Sequence, residues 1–141
     1  ENFYSDLLSN TEKHMAWSIR NEGFMITLSA FIPNLLSLGI KQLIGPMMKF
    51  YGLSLSDIDY FAIHPGGPKI LQKIEDILNL PAEQNIIARE ILKNYGNMSS
   101  ATILFILQRL LQEIPINAHK SKILAMAFGP GLTIESVLIF T

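Results

Sequence analysis

The chain of 141 residues lacks cysteine and is poor in charge. Without cysteine it holds no disulfide, no thiolate metal ligand and no thiol nucleophile of its own. Charged residues make up 16% of the sequence, against about 25% in typical soluble domains, while the hydrophobic fraction of 49% is ordinary. We interpret the low fraction of charged residues as a sign of an apolar surface that another part of the protein covers. The alternative is a small α/β domain with a sticky surface.

Charge and hydropathy also bear on partners and location. The net charge is −1 and Lys and Arg form no cluster, so nothing favours nucleic acid or an anionic membrane surface. Residues 23–40 carry no charge, but they include Pro33 and Asn34, and a strand followed by a helix explains them better than a transmembrane span. Residues 1–6 are polar and acidic, unlike a signal peptide, so we expect a cytoplasmic protein. The first residue is not methionine, and we expect an excised segment of a longer protein.

Hydrophobic periodicity predicts a single α/β domain over residues 1–141. Alternating apolar side chains indicate half-buried strands, and apolar side chains three or four positions apart indicate amphipathic helices. We predict strands at 14–20, 24–30, 58–63, 121–128 and 132–140, and helices at 33–50, 68–80, 82–94 and 99–113. The order ββαβαααββ predicts a mixed β-sheet with helices packed against it.

Three details of the helices carry further expectations. Gly45-Pro46 should break or kink the first helix, because proline lacks a backbone donor and clashes with the preceding turn. Glu75 and Asp76 are expected on an exposed helix face. Residues 103–107 are all apolar, so the last helix should be covered on every side, by a second sheet that this chain need not contain.

The motif His64-Pro65-Gly66-Gly67-Pro68 follows a predicted buried strand, where functional side chains are common in open α/β sheets. Its prolines stiffen the loop, and Gly66 and Gly67 leave room for a ligand beside the backbone. A histidine at a strand end is more often structural or solvated, so the whole motif is needed to mark His64 as a catalytic candidate. The other histidines, His14 and His119, lie among polar residues and are expected to be solvated.

Tyr95-Gly96-Asn97 separates two predicted helices and has both a structural and a functional interpretation. Gly96 suits a helix C-cap, and Asn97 or Ser99 can cap the helix that follows. The side-chain amide of Asn97 can also donate a hydrogen bond to a developing oxyanion. The two interpretations are compatible if Ser99 caps the helix and Asn97 faces the site.

Phe128-Gly129-Pro130-Gly131 joins the last two predicted strands. It is either a tight hairpin or a glycine-rich wall along which a substrate lies. The spacing of its residues does not distinguish the two.

Together and in this order, the three motifs resemble the C-terminal half of the chalcone/stilbene synthases, the type III polyketide synthases of the thiolase-like superfamily. Gly23, Pro33 and Leu132-Thr133-Ile134-Glu135 also stand where that family has similar residues, so the resemblance covers nearly the whole chain. It implies that this chain is the C-terminal half of a thiolase-like fold, and that a cysteine-bearing N-terminal half is absent.

The resemblance further implies a Cys-His-Asn site without its cysteine. His64 would keep that cysteine as a thiolate, which an acyl-CoA starter would load. His64 and Asn97 would both donate hydrogen bonds to the thioester oxygen of malonyl-CoA during decarboxylation. The Gly66-Gly67 backbone would flank the pantetheine arm. The other residues expected to line the substrate site are Ser99, Phe128, Gly129, Pro130 and Ile26, the last in place of a phenylalanine that gates the family's cavity.

The intact enzyme would then be a homodimer that acts on coenzyme A thioesters without a metal or redox cofactor, and this chain alone would be inactive. Lys69 stands where the family commonly has a small residue, and Ala127 stands where it commonly has glycine. These differences leave the identity of the product undetermined. Two alternatives remain. One is a non-catalytic domain that binds acyl thioesters or serves in assembly, and the other is a ketoacyl synthase that uses acyl carrier protein.

Overall fold

A computed structural model of the chain describes residues 2–115 and 120–141. Its main sheet has four strands in the order β1-β6-β5-β4, namely β1 (Asn2–Leu7), β4 (Tyr60–Ile63), β5 (Lys122–Gly129) and β6 (Thr133–Phe140). β4 runs parallel to β5, whereas β6 is antiparallel to both β5 and β1. The sheet is therefore mixed, and the predicted α/β class with packed helices is confirmed.

Four helices accompany the sheet. They are α1 (Ile32–Tyr51), α2 (Pro68–Leu78), α3 (Ile86–Tyr95) and α4 (Ala101–Glu113), with short 3₁₀ turns at Leu55–Asp57 and Ala82–Asn85. α1 covers the sheet face that carries Ser136, whose hydroxyl lies 2.8 Å from that of Tyr51. α4 packs against β4 and β5. Leu36, Ile74, Ile106 and Leu124, from three helices and the sheet, are each at most 1% exposed and mark the core between these layers.

The predicted element order is wrong at its beginning, because residues 2–7 form a first strand that the sequence did not suggest. β1 pairs with β6 over its whole length, from Asn2 opposite Leu138 to Leu7 opposite Thr133. The prediction failed because β1 is an edge strand whose side chains are mostly exposed, so it lacks the apolar pattern of a buried strand. Its partner also lies at the other end of the chain, where no local signal reveals it.

The first two predicted strands exist but do not belong to the main sheet. β2 (Met15–Arg20) and β3 (Gly23–Leu28) form a separate antiparallel hairpin. One of its faces carries three apolar cross-strand pairs: Met15 with Leu28, Trp17 with Ile26, and Ile19 with Phe24. Ile19 is 80% exposed and Phe24 is 76% exposed, so this face is uncovered in the described chain.

The expected break at Gly45-Pro46 does not occur, because α1 continues through Pro46 to Tyr51. Pro46 removes the donor that would bond to the carbonyl of Gln42, and both residues are exposed, so solvent can reach that carbonyl. The next two residues, Met47 and Met48, are buried and hold the last turns against the core. Packing therefore outweighs the local cost of the proline.

Glu75 was expected on an exposed face and is instead 3% exposed. α3 covers that side of α2, and its Arg89 donates to the Glu75 carboxylate through both Nε and a terminal nitrogen. Asn85 donates a further hydrogen bond of 2.9 Å from Nδ2 to the same carboxylate. A buried charge needs such partners, and here they join α2 to α3.

Helix α4 is only partly covered by the described residues. Thr102, Ile106 and Leu110 are buried, whereas Leu104 on another side is 64% exposed. The expectation that further structure covers this helix on every side stays a prediction. No helix in residues 2–115 and 120–141 is long and apolar enough to span a membrane.

Candidate active site

The three sequence motifs meet at one end of the sheet. β4 and β5 are parallel, so their carboxyl ends lie side by side, where open α/β sheets place their ligands. His64 directly follows β4, and its main-chain N–H donates a hydrogen bond of 2.8 Å to the carbonyl of Met126 on β5. Phe128 lies two residues beyond Met126. The first and third motifs are therefore neighbours.

His64 is 8% exposed, and its imidazole has no hydrogen-bond partner among the residues that the structure describes. Burial lowers the pKa of His64 below its ordinary value of 6.5, because the charged form loses solvation. In this chain the imidazole is therefore neutral at neutral pH. A neutral imidazole has one donor and one acceptor nitrogen.

Gly66 connects His64 to the second motif. Its main-chain N–H donates a hydrogen bond of 3.1 Å to the carbonyl of His64. Its own carbonyl accepts a hydrogen bond of 3.3 Å from Nδ2 of Asn97. The hydrogen bonds of Gly66 thus link the two loops that carry the predicted catalytic residues.

The side chain of Asn97 is held from both ends. Its Oδ1 accepts a hydrogen bond of 2.9 Å from the main-chain N–H of Ser99, while its Nδ2 donates to Gly66. These two bonds fix which end of the amide is the NH2 group. Asn97 is exposed, so the second N–H of that group is accessible to a ligand.

The helix caps around this loop differ in part from the prediction. Gly96 is the C-cap of α3, with φ of 73° and its N–H bonded to the carbonyl of Leu92, as expected. Neither Asn97 nor Ser99 caps α4, which begins after Ser100 without a side-chain cap. Asn97 bonds to the N–H of Ser99, upstream of the helix, and Ser99 is exposed with φ of 58°.

The glycines of the first motif leave the backbone open. A Cβ atom on Gly67 would meet no atom within 4 Å, so this residue borders empty space. A Cβ on Gly66 would come within 2.7 Å of the Ile70 Cδ1 atom, the flexible end of a side chain. The loop can therefore accept a ligand along its main chain.

The third motif is a turn between paired strands, with Gly129 opposite Thr133. Phe128 is half-buried, and Pro130 is exposed. Gly131 has φ of 118°, a conformation that favours glycine. The hairpin interpretation is thus correct, and it does not exclude a substrate along the same backbone.

Sequence reasoning missed Thr11, which anchors this turn. Thr11 is 6% exposed, and its Oγ1 lies 2.6 Å from the carbonyl of Leu8 and 2.7 Å from that of Gly131. The same oxygen accepts a hydrogen bond of 2.6 Å from the N–H of Leu132. No sequence signal indicates this contact, because the partners are 120 and 121 positions away.

Ile26, the remaining predicted lining residue, lies on the β2–β3 hairpin. The hairpin meets the third motif where the N–H of Gly131 donates a hydrogen bond of 3.0 Å to the carbonyl of Met15. Met15 pairs with Leu28, and Ile26 belongs to the next pair on the same face, opposite Trp17. The structure thus places Ile26 near the junction, without showing it in contact with His64.

Of the other two histidines, the structure describes one. His14 is half-buried, rather than fully solvated, and packs edge-on against the ring of Phe31. His119 lies outside the described residues. Across residues 2–115 and 120–141, no three His, Asp or Glu side chains are grouped so that they could hold a metal ion.

Known proteins share both the sequence and the fold. Residues 3–141 match the family described as chalcone and stilbene synthases, C-terminal domain. The alpha-pyrone synthesis polyketide synthase-like protein Pks18 of Mycobacterium tuberculosis is 36% identical over 135 residues, which cover 96% of this chain and 34% of that protein. A putative chalcone synthase of Bacillus subtilis is 36% identical over 137 residues, covering 95% of this chain and 36% of its own length.

The fold agrees with these relatives. The solved 1,3,6,8-tetrahydroxynaphthalene synthase of Streptomyces coelicolor, a bacterial type III polyketide synthase, matches with a TM-score of 0.88 at 29% identity. The match covers 98% of this chain and 39% of that one. The thiolase-like fold and the resemblance to type III polyketide synthases are confirmed. The chain spans about a third of the length of the curated relatives it matches.

Proposed function

Because this chain belongs to the chalcone and stilbene synthase family, as its C-terminal domain, we propose that it supplies the histidine and asparagine of a type III polyketide synthase. The intact enzyme condenses malonyl-CoA units onto an acyl-CoA starter, with release of carbon dioxide. The observation that carries this proposal is the placement of His64 and Asn97 on two loops that Gly66 joins by hydrogen bonds to both.

The first step needs a nucleophile that this chain lacks. A cysteine thiolate from the preceding half of the protein attacks the acyl-CoA carbonyl, forms a new thioester and releases coenzyme A. His64 is suited to pair with that cysteine, because its imidazole is buried and has no hydrogen-bond partner among the described residues. A thiolate nearby favours the protonated imidazole, and so opposes the effect of burial on the pKa of His64.

The second step is the decarboxylation of malonyl-CoA. The carbon–carbon bond to the carboxylate breaks, carbon dioxide leaves, and negative charge collects on the thioester oxygen as an enolate. His64 and the free N–H of Asn97 donate hydrogen bonds to that oxygen. Asn97 is suited to this role because its other contacts already fix its amide, so little reorganisation is needed.

In the third step the enolate carbon attacks the enzyme-bound acyl thioester. The new carbon–carbon bond lengthens the chain by two carbons and returns the cysteine thiolate. Gly66 and Gly67 flank the pantetheine arm, since the space beside Gly67 is open. Ser99, Phe128, Gly129, Pro130 and Ile26 line the space for the growing chain.

The same proposal covers the partners of this chain. A cysteine-bearing N-terminal half completes the site, and a second copy completes a homodimer, so the 141 residues alone do not catalyse condensation. The uncovered apolar face of the β2–β3 hairpin supports such partners, although it does not identify them. With coenzyme A thioesters as substrates, we place the enzyme in the cytoplasm.

The experiment uses the protein together with the residues that precede this chain in its reading frame. Purified protein is given acyl-CoA and malonyl-CoA, and both carbon dioxide and extended products are measured. The proposal predicts both, and predicts that His64→Ala and Asn97→Ala each remove most of the carbon dioxide release. Absence of condensation by the wild-type protein with either coenzyme A or carrier-protein thioesters would leave only the non-catalytic alternative.

A further inference from the structure

The buried carboxylate of Glu75 has no part in the proposed chemistry, yet its partners connect the two helices that border the candidate active site. α2 begins directly after the loop that carries His64, and α3 ends two residues before Asn97. Glu75 lies on α2 and Arg89 on α3, each about two helical turns from the end of its helix that borders the site. Their ion pair therefore joins the supports of the two predicted catalytic residues.

The geometry of this pair restricts how α3 can lie against α2. Arg89 donates from Nε to Oε1 of Glu75 at 2.9 Å, and from a terminal nitrogen to Oε2. Asn85 also donates to Oε1, and Gln72 accepts a hydrogen bond of 3.1 Å from Arg89. Two bonds from one planar guanidinium fix both distance and orientation. Replacing a buried ion pair by well-packed apolar side chains is often neutral for stability, so this geometry is the contribution that apolar residues would not supply.

Apolar packing leaves a gap between the two helices on the side toward the site. A groove of about 430 Å³ separates α2 from α3 there, and it is lined by Pro68, Leu71, Arg89, Leu92 and Lys93. The carboxylate of Glu75 bonds across the two helices at one end of the groove. The bond from Asn97 to Gly66 links their loops at the other end. Polar contacts therefore hold the two helices together on both sides of this gap.

His64 and Asn97 depend on these contacts to different degrees. His64 directly follows β4, and its main-chain N–H bonds to the carbonyl of Met126 on β5, so the sheet fixes its position. Asn97 follows the end of α3, and its side chain is held by hydrogen bonds of 3.3 Å to Gly66 and 2.9 Å from Ser99. A displacement of α3 therefore moves the amide of Asn97 and leaves His64 in place.

We propose that Glu75 and Arg89 are positioning residues that set the place of the Asn97 amide relative to the imidazole of His64. The inference rests on the proposed function, because this distance matters for catalysis only if both groups bind the same thioester oxygen. In this role neither residue contacts the substrate, since both act through α3. Two hydrogen bonds must converge on one oxygen, so a displacement of about an ångström slows decarboxylation strongly.

The test measures two partial reactions on the protein together with the residues that precede this chain. One is acylation of the cysteine by the acyl-CoA starter, which uses His64 without Asn97. The other is carbon dioxide release from malonyl-CoA at saturating concentration. Glu75→Gln is expected to lower the maximal rate of carbon dioxide release about ten- to hundredfold, with the acylation rate unchanged. Arg89→Lys keeps the charge and loses the planar fork, and the expected loss is about three- to tenfold.

Arg109→Gln is the matched control. Arg109 on α4 pairs with Glu90 on α3, but the two side chains are 44% and 41% exposed, so this ion pair contributes little. We expect both rates in this variant to stay within about twofold of wild type. In an Asn97→Ala background, Glu75→Gln is expected to cause no further loss of carbon dioxide release, because no donor remains to be displaced.

Other outcomes overturn the inference. Equal loss of both reactions in Glu75→Gln and Arg89→Lys would show a general effect on folding. Wild-type rates of both reactions in these variants would show that the pair does not position the site. A full additional loss in the Asn97→Ala background would show that the pair acts by a route other than Asn97.

If the wild-type protein releases no carbon dioxide from malonyl thioesters, the proposed function fails, and amide hydrogen exchange then tests the positioning of Asn97. Oδ1 of Asn97 accepts from the N–H of Ser99, and the carbonyl of Met126 accepts from that of His64. Faster exchange at Ser99 in Glu75→Gln, with exchange at His64 unchanged, supports the inference. Unchanged exchange at Ser99, or faster exchange at both sites, overturns it.

Discussion

The side-chain amide of Asn97 donates a hydrogen bond of 3.3 Å to the main-chain carbonyl of Gly66, two residues after the buried His64. This bond ties the loop after α3 to the loop after β4. It uses one of the two N–H donors of the amide and leaves the other for a ligand, while Oδ1 accepts from the N–H of Ser99. The proposed chemistry depends on that remaining donor.

Replacing Asn97 by aspartate tests the amide donor, and it also removes the hydrogen bond to Gly66. Asn97→Asp keeps an oxygen that accepts from Ser99 and loses the NH2 group that faces the site. We expect the rate of malonyl-CoA decarboxylation in the intact enzyme to fall about 10²–10³-fold, the usual effect of losing one oxyanion donor. Carbon dioxide release measures it, and wild-type rates in this variant would contradict the assignment of Asn97.

Burial of His64 predicts a particular pH dependence of stability in this chain. Because burial lowers the pKa of His64 below 6.5, the unfolded state binds more protons than the folded state between that lowered pKa and 6.5. The contribution of neutral His64 to the free energy of unfolding is therefore fully present above pH 6.5. It is lost as the pH falls through the pKa that His64 has in the folded state.

His64→Gln removes this titration and serves as the reference. Urea unfolding of the two proteins over a pH series gives the comparison. We expect the free-energy difference between wild type and variant to shift against wild type as the solution becomes more acidic. Parallel pH profiles for the two proteins are the opposite result and would show that His64 titrates as it does in the unfolded chain.

Thr11 is expected to stabilise the turn that contains the third motif. Thr11→Val removes the hydroxyl, so the buried N–H of Leu132 loses its partner. We expect the free energy of unfolding to fall by about 1–3 kcal/mol, the cost of an unsatisfied buried group. Thr11→Ser keeps the hydroxyl and is the control. Equal loss in both variants would assign the effect to the methyl group rather than to the hydrogen bonds.

The uncovered face of the β2–β3 hairpin predicts self-association of the isolated chain. Exchanging both Ile19 and Phe24 for threonine removes the most exposed apolar pair on that face. We expect this double variant to sediment as a smaller species than wild type at high concentration. Met25→Thr, on the opposite face, is the control. A wild-type chain that stays monomeric at high concentration would contradict the prediction.

The strands and helices with strong periodicity could be read from the sequence, and so could the strand end that presents His64. What the sequence did not show depends on distant contacts. β1 is recognisable only beside β6, and Glu75 looks solvated until α3 brings Arg89 against it. Pro46 is tolerated within α1 because Met47 and Met48 are buried. Intrinsic helix and strand propensities do not indicate these contacts, because tertiary packing determines them.

For the candidate site, too, local sequence patterns predicted the motifs, whereas contacts between distant residues required the structure. Motif composition singled out His64, Asn97 and the two glycine-containing loops as candidates, because their residues and order resemble those of a known family. The bond from Asn97 to Gly66 and the anchoring of Gly131 by Thr11 were not predictable, as their partners are 31 and 120 positions apart. The spatial relation of the hairpin to the third motif likewise required the structure.

We propose that His64 and Asn97 complete a site whose cysteine lies in a preceding half of the protein. The most direct measurement is the intact mass of the native gene product, with its thiols counted by labelling after treatment with acyl-CoA. We predict a protein roughly three times the length of this chain, in line with its relatives, with one cysteine acylated and protected from the label. A native mass equal to these 141 residues, or a longer protein whose cysteines all remain free, would contradict the account.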